Sequence, residues 1–319
     1  MRQIIAQVQE KIDELAPEIT RELTMQVWAA SRYLSGSVSR EIPYEVVYGL
    51  DLALTDWVTS PPKYIVTTAF LAEMNYHFEG VPEQFYDLAE RTLGVRFNHR
   101  VVQVALPQLY KHQPLNNSLL YHELGHFVDQ QHGISKLMLM MSTFDPNTTM
   151  SDLKIALSHN AEYFADLFAA CYVGDAVAVM LGSMAPNYGD SETHPATQKR
   201  ISVVQDFLGD KDNLMVQSCN KALAVQGLPL LSKRFKSPDI ASCFDNVRPY
   251  QIQSKEEVHG LLLAGQRYLV QSVGNLTGLW ANVSEGDAIR MINDLVEKSL
   301  RNWMVREMWQ HDRTSQNGA

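Results

Sequence analysis

Leu119-Leu120-Tyr121-His122-Glu123-Leu124-Gly125-His126-Phe127-Val128-Asp129 is the stretch that decides how this chain is read. It places H-E-x-x-H inside an otherwise apolar run. On a helix, residues four apart share a face, so the two imidazoles can converge on one metal ion. The carboxylate of Glu123 projects beside that ion, where it can take a proton from a bound water. The apolar flanks predict a buried helix from Leu119 to about Gln131, ended near Gly133, with only the metal face open to a cleft. Gly125 costs about 1 kcal/mol in a helix interior relative to alanine, and so suggests a close approach of backbone or substrate.

Such a site needs a third protein ligand, because catalytic zinc typically has three and leaves one position open. Downstream stands His159-Asn160-Ala161-Glu162-Tyr163-Phe164-Ala165-Asp166. Glu162 and Asp166 are four apart and again share a face. Glu162 can bind the metal, and Asp166 can accept a hydrogen bond from the second nitrogen of a ligating histidine. His159 is a rival ligand, but one of the two should face the metal, and Glu162 has the supporting aspartate. The plainer reading is two solvated carboxylates. It fits poorly with a segment otherwise made of Tyr163, Phe164, Ala165, Leu167, Phe168 and Ala169, where acidic groups need partners. Thr193-His194-Pro195-Ala196-Thr197-Gln198-Lys199-Arg200-Ile201, read alone, is a helix start with proline near its first turn and His194 at the surface.

Around this centre the chain reads as α+β, mainly α-helical. Ile4, Ile5, Val8, Ile12 and Leu15 recur at helical spacing, as do Ile19, Leu23, Val27, Ala30 and Leu34 after Pro17, up to a turn at Ser35-Gly36-Ser37. A third apolar segment, 44–58, stops at Ser60-Pro61-Pro62. Tyr64 to Ala69 is a short strand or a buried helix start. Pro82 can open a helix to Leu93, ended by Gly94, and Val101 to Leu106 reads as a strand. Helices follow from about Asp152 to Val173, from Pro195 to Leu208 and from Ser254 to Val273, and a last long one starts at the capping-box-like Ser284-Glu285-Gly286-Asp287. Leu137 to Met141 is a Met-rich run read as core. Leu167 to Ala185 is nearly long enough to span a bilayer, but Gly174-Asp175 punctuates it as two buried helices.

The 319 residues suffice for a sizeable core. Lys+Arg number 27 against 36 Asp+Glu, a net charge of −9, which argues against coating nucleic acid or an anionic membrane. Three cysteines without a CxxC pair read as reduced thiols, which with the absence of a secretory pattern gives a cytoplasmic expectation.

H-E-L-G-H, then E-x-x-A-D, then T-H-P-x-x-x-x-R-I, in that order, resembles the gluzincin clan of zinc metallopeptidases. The pattern is nearest that of the HtpX and CAAX-prenyl-protease-like branch, and the first two elements also resemble the ImmA/IrrE-type peptidases. The similarity covers about 101–208. It implies a gluzincin-like core over 61–210, with helical regions 1–60 and 211–319 around it. It implies one Zn2+ per chain held by His122, His126 and Glu162, with Glu123 as general base and Asp166 as the residue behind a ligating histidine. His194 is then expected over the site, aiding the tetrahedral intermediate or capping the metal, and a tyrosine such as Tyr188 is the alternative group for the oxyanion. Arg200 is expected to be structural or to shape the cleft. An extended peptide or protein substrate is expected to add to an edge strand, placed at Val101 to Leu106. The expected activity is peptide-bond hydrolysis by a soluble, restrained or substrate-selective endopeptidase. The chain departs from HtpX-like enzymes in having no convincing membrane span, and its flanks match no named pattern. The alternative is a catalytically silent zinc-fold protein acting as a helical interaction module, with Trp280, Trp303, Trp309, Leu295, Met304 and Met308 as a partner surface or as core.

Overall fold

The computed structural model describes residues 6, 10, 14–38, 44–58, 63–81, 83–275, 280–281 and 283–316. Most of the expected first helix, Ser60-Pro61-Pro62 and Pro82 lie outside these residues. The class is α+β and mainly helical. In chain order come α1 (Pro17–Val38), α2 (Tyr44–Thr55), β1 (Lys63–Leu71), β2 (His77–Gly80), α3 (Glu83–Leu93) and β3 (His99–Pro107). Then follow α4 (Leu119–His132), α5 (Ile134–Met140), α6 (Met150–Val173), α7 (Ala176–Met184) and α8 (Thr197–Leu208). The remainder is α9 (Leu214–Val225), the short α10 (Ala241–Phe244), α11 (Lys255–Asn275) and α12 (Glu285–Gln316).

The sheet order is β1-β3-β2. β3 runs parallel to β1, with Val66 opposite Val102, and antiparallel to β2, with Phe78 opposite Val104. This corrects the expected edge strand. Val101 to Leu106 lies in the central strand, paired on both sides. β3 is buried without interruption from Val102 to Pro107, as expected of a strand covered on both faces, and so reads as a continuous apolar run. The edge nearest α4 is β2, whose four residues, His77-Phe78-Glu79-Gly80, carry too little pattern to announce a strand.

Over the sheet lies α4. Leu120, Leu124, Phe127 and Val128 form its apolar stripe and join Val66, Val102 and Val104 in the core. Truncating one such buried leucine to alanine costs about 2–5 kcal/mol, so the helix that carries the histidines is held firmly. α4 ends where Gly133 takes φ +64°, a left-handed conformation that favours glycine. Asp129 then turns inward and accepts from Ser135 N and Oγ at 2.6 and 2.7 Å, which starts α5.

α6 packs across α4 at close range. A Cβ at Gly125 would stand 2.8 Å from Ala165 Cα, so the glycine is required by the backbone of α6. A capping box between Thr149 and Asp152 opens α6. It stops at Val173, and α7 follows as a separate helix after Gly174-Asp175. Among the described residues no helix is long and apolar enough to cross a membrane.

Leu261, Leu262, Ile292 and Val296 of α11 and α12 belong to the same buried cluster as Leu120 and Phe168. Trp280, Leu295 and Trp303 are buried there too, whereas Met308 and Trp309 are exposed. A smaller cluster joins Leu23 of α1 to Phe85, Tyr86, Ala89 and Leu93 of α3. Helix α1 runs through Ser35-Gly36-Ser37, so these residues do not form the expected turn. Met138 of the Met-rich run is buried and Met140 is exposed.

Candidate metal centre

His122 and His126 stand one turn apart on α4, with their Nε2 atoms 3.0 Å from each other. Glu162 reaches them from α6. Its Oε1 lies 3.3 Å from His126 Nε2 and its Oε2 lies 3.5 Å from His122 Nε2. One ligating atom from each of the three residues falls within 4.8 Å of the others, an arrangement that can hold one metal ion. Two imidazoles and a carboxylate form a mixed nitrogen and oxygen set of the type transition metals take.

The polar surroundings support that fit. Glu162 Oε2 is buried and makes no hydrogen bond, although Arg200 Nη2 is 3.0 Å away. A buried carboxylate oxygen left in this way is costly unless a further cation sits against it. Burial opposes ionisation of Glu162. The hydrogen bond with His126, and the charges of His122, His126 and Arg200, outweigh it and hold the carboxyl down to about 2. Glu162 is therefore anionic at neutral pH.

Behind the histidines is a second layer. Asp166, fully buried one turn along α6, places Oδ1 2.9 Å from His122 Nδ1. Arg200 of α8 donates from Nε to Asp166 Oδ2 and from Nη2 to Oδ1, both at 2.7 Å. Burial works against the Asp166 anion, but Arg200 and His122 push its carboxyl well below the usual range. Burial likewise lowers His122, while Asp166 and Glu162 raise it, and the net direction is upward. Placing Asp166 beside Nδ1 orients the ring so that Nε2 faces His126 and Glu162. Arg200 thus touches both carboxylates of E-x-x-A-D, a fixed fork between α6 and α8.

Between Leu119 and Asp129, Glu123 and His126 alone are not buried. They are three apart, and Gln130, exposed, continues their stripe along α4. That stripe is the open side of the centre. The sequence gives no sign of Phe78, whose ring stacks over His126 at 6.2 Å between centroids. This contact joins a four-residue strand to a helix some fifty positions away, so no local pattern carries it.

The loop before α8 brings in His194. Its Nε2 is 3.4 Å from Glu162 Oε1, and the side chain is about half exposed. His159, the rival ligand, points elsewhere, since its Nε2 donates to the carbonyl of Ser191 at 2.8 Å. Ser191 Oγ in turn accepts from His194 N at 2.9 Å, so His159 fastens the loop that carries His194. Tyr188 is exposed, and its carbonyl rather than its hydroxyl takes part in that loop, accepting from Thr197 N. Comparison of the chain with protein-family models, curated proteins and solved structures finds no match.

Proposed function

We propose that the protein is a zinc-dependent metallopeptidase with a gluzincin-like core, and that His122, His126 and Glu162 hold the zinc. What carries this reading is the junction of those three ligands with Glu123 on the single open stripe of a buried helix. A metal needed only for stability requires no carboxylate beside it on the solvent side. Zinc, when bound, lowers the pKa of a coordinated water toward about 7 and polarises a carbonyl oxygen.

The chain's own residues supply the rest. Glu123 accepts the proton of the attacking water at its carboxylate and returns it to the leaving amine. His194, held over Glu162 by its loop, donates toward the oxygen of the scissile carbonyl as negative charge develops there. Asp166 and Arg200 keep the His122 ring oriented and touch neither substrate nor water. The substrate backbone adds as a further strand to the edge of β2, in place of the strand position first expected at Val101 to Leu106.

The test is elemental analysis of protein purified without added metal, beside His126→Ala, followed by hydrolysis of a fluorogenic peptide library by wild type and Glu123→Gln. The expectation is one zinc per chain, lost in His126→Ala, with cleavage abolished and zinc retained in Glu123→Gln. Full cleavage by Glu123→Gln would refute the general base. No metal after reconstitution, and no cleavage, would move the reading to a helical interaction module, for which exposed Met308 and Trp309 on α12 are the candidate surface.

A further inference from the structure

One turn beyond His126, the end of α4 stands off the sheet and leaves a cavity of about 480 Å³. Its walls come from all three strands, from α4 and, through Glu83 and Gln84, from the start of α3. Tyr64 of β1, Phe78 and Gly80 of β2, Arg100 of β3 and Phe127 of α4 line it. In the sheet register Tyr64 faces Arg100, and Gly80 faces Val102, so these residues lie on the sheet face that α4 covers. Phe127 meets Tyr64 edge-on at 5.1 Å and Phe78 at 6.1 Å between centroids. Because Phe78 also stacks over His126, one ring is shared by the cavity and the metal centre. The exposed Gln130, on the stripe that carries Glu123 and His126, stands at the cavity mouth.

The chemistry of the walls narrows the occupant. Three ring surfaces offer edge and face contacts to another ring. The guanidinium of Arg100 in the cavity wall is already satisfied. Arg100 Nε is 3.1 and 3.2 Å from the two oxygens of Glu83, and its guanidinium lies 3.9 Å from the centre of the Tyr86 ring. That pair neutralises its own charge, and Glu79, the other carboxylate beside the cavity, alternates with Phe78 and Gly80 and so stands on the opposite face of β2. The glycine at position 80 keeps the floor open. A Cβ there would meet Phe127 Cε2 at 3.8 Å, an ordinary contact, so position 80 can carry a longer side chain that would occupy the floor.

We propose that this cavity is a specificity subsite, on the His126 side of the metal centre, that takes a bulky aromatic side chain of an extended peptide lying along β2. The proposal rests on the metallopeptidase reading for the peptide but stands on the cavity for the residue class. Alternation along a strand sends every second side chain of an added peptide toward one face, so a single position of the substrate enters it.

The experiment measures fluorescence anisotropy of labelled heptapeptides with phenylalanine, alanine, lysine or glutamate scanned through each position, against zinc-loaded Glu123→Gln. At one position, phenylalanine should tighten binding at least tenfold over the other three. Gly80→Leu, which fills the floor, and Gln130→Trp, which blocks the mouth from a solvent-facing position, should each reduce that ratio to about one. Zinc content and circular dichroism verify that both variants fold. Equal binding of all peptides, no binding at all, a preference for a charged residue, or an aromatic preference that neither variant alters would overturn the subsite. Cleavage of the same peptides by wild type is scored separately. Aromatic-selective binding without cleavage refutes the hydrolase and keeps the subsite, whereas cleavage without a preference does the reverse.

Discussion

Tyr121 and His122 are neighbours on α4, yet their side chains enter two buried polar centres of different construction. His122 faces Glu162, Asp166 and Arg200, where two carboxylates are ionised and one buried oxygen has no hydrogen bond. The Tyr121 hydroxyl is 3.1 Å from His259 Nδ1, in a cluster closed by aromatic rings. Trp57 Nε1 donates to the Tyr172 hydroxyl at 2.7 Å, which lies 2.9 Å from Asp56 Oδ2, and Arg234 pairs with that carboxylate at 3.0 Å. Burial holds His259 down to about 4, hence neutral at physiological pH, although Asp56 and Glu256 pull the other way. Both centres use α4 and α6. The Tyr121 side closes on itself through packed rings and the Asp56–Arg234 pair, with Arg234 Nε left without a hydrogen bond, and binds helices together. The His122 side leaves Glu162 Oε2 without a hydrogen bond and has an open stripe beside it, so this side alone brings three possible metal-ligating groups to a face that is not buried.

Substitutions on each side should therefore separate function from stability. The largest effect is expected from Glu123→Gln, which should reduce peptide cleavage by about 10²–10⁴-fold with zinc retained, measured by initial rates and elemental analysis. Tyr121→Phe should leave those rates within about twofold, and a comparable loss in that variant would erase the distinction. Next comes Asp166→Asn, expected to weaken zinc binding by about 10–100-fold in a chelator competition. His259→Gln should not move that affinity.

Gly125→Ala tests the α4–α6 contact on which both centres depend. Overpacking against Ala165 should cost about 1–3 kcal/mol by urea denaturation and weaken zinc in parallel. Unchanged stability would show that the helices have room to part.

His259 has a depressed folded-state pKa, so its sign follows from linkage. The unfolded chain binds the proton more readily between about pH 6.5 and the folded value of about 4, so stability is complete above that window and falls as pH drops through it. The slope from this group approaches about 1.4 kcal/mol per pH unit, and His259→Gln should remove it in denaturation curves taken from pH 6.5 to 4.5. Tyr121→Phe is the smallest expected change, about 1 kcal/mol for one buried hydrogen bond.

Much of this architecture is written in local pattern. The 3.6-residue period of Leu120, Leu124, Phe127 and Val128, with Gly133 behind them, specifies α4 and the face on which His122 and His126 stand together. The i, i+4 spacing of Glu162 and Asp166 places both on one side of α6 for the same reason, because a helix repeats its face every turn. Contacts between elements have no such period. That Gly125 answers Ala165, that Arg200 reaches both carboxylates, that His159 fastens a loop instead of joining His122, His126 and Glu162, and that Phe78 covers His126 were all decided by how distant segments pack. The same holds for the sheet. The apolar run of Val101 to Leu106 announces a strand, but its central position follows from what lies on either side of it, and a one-dimensional pattern does not contain its neighbours.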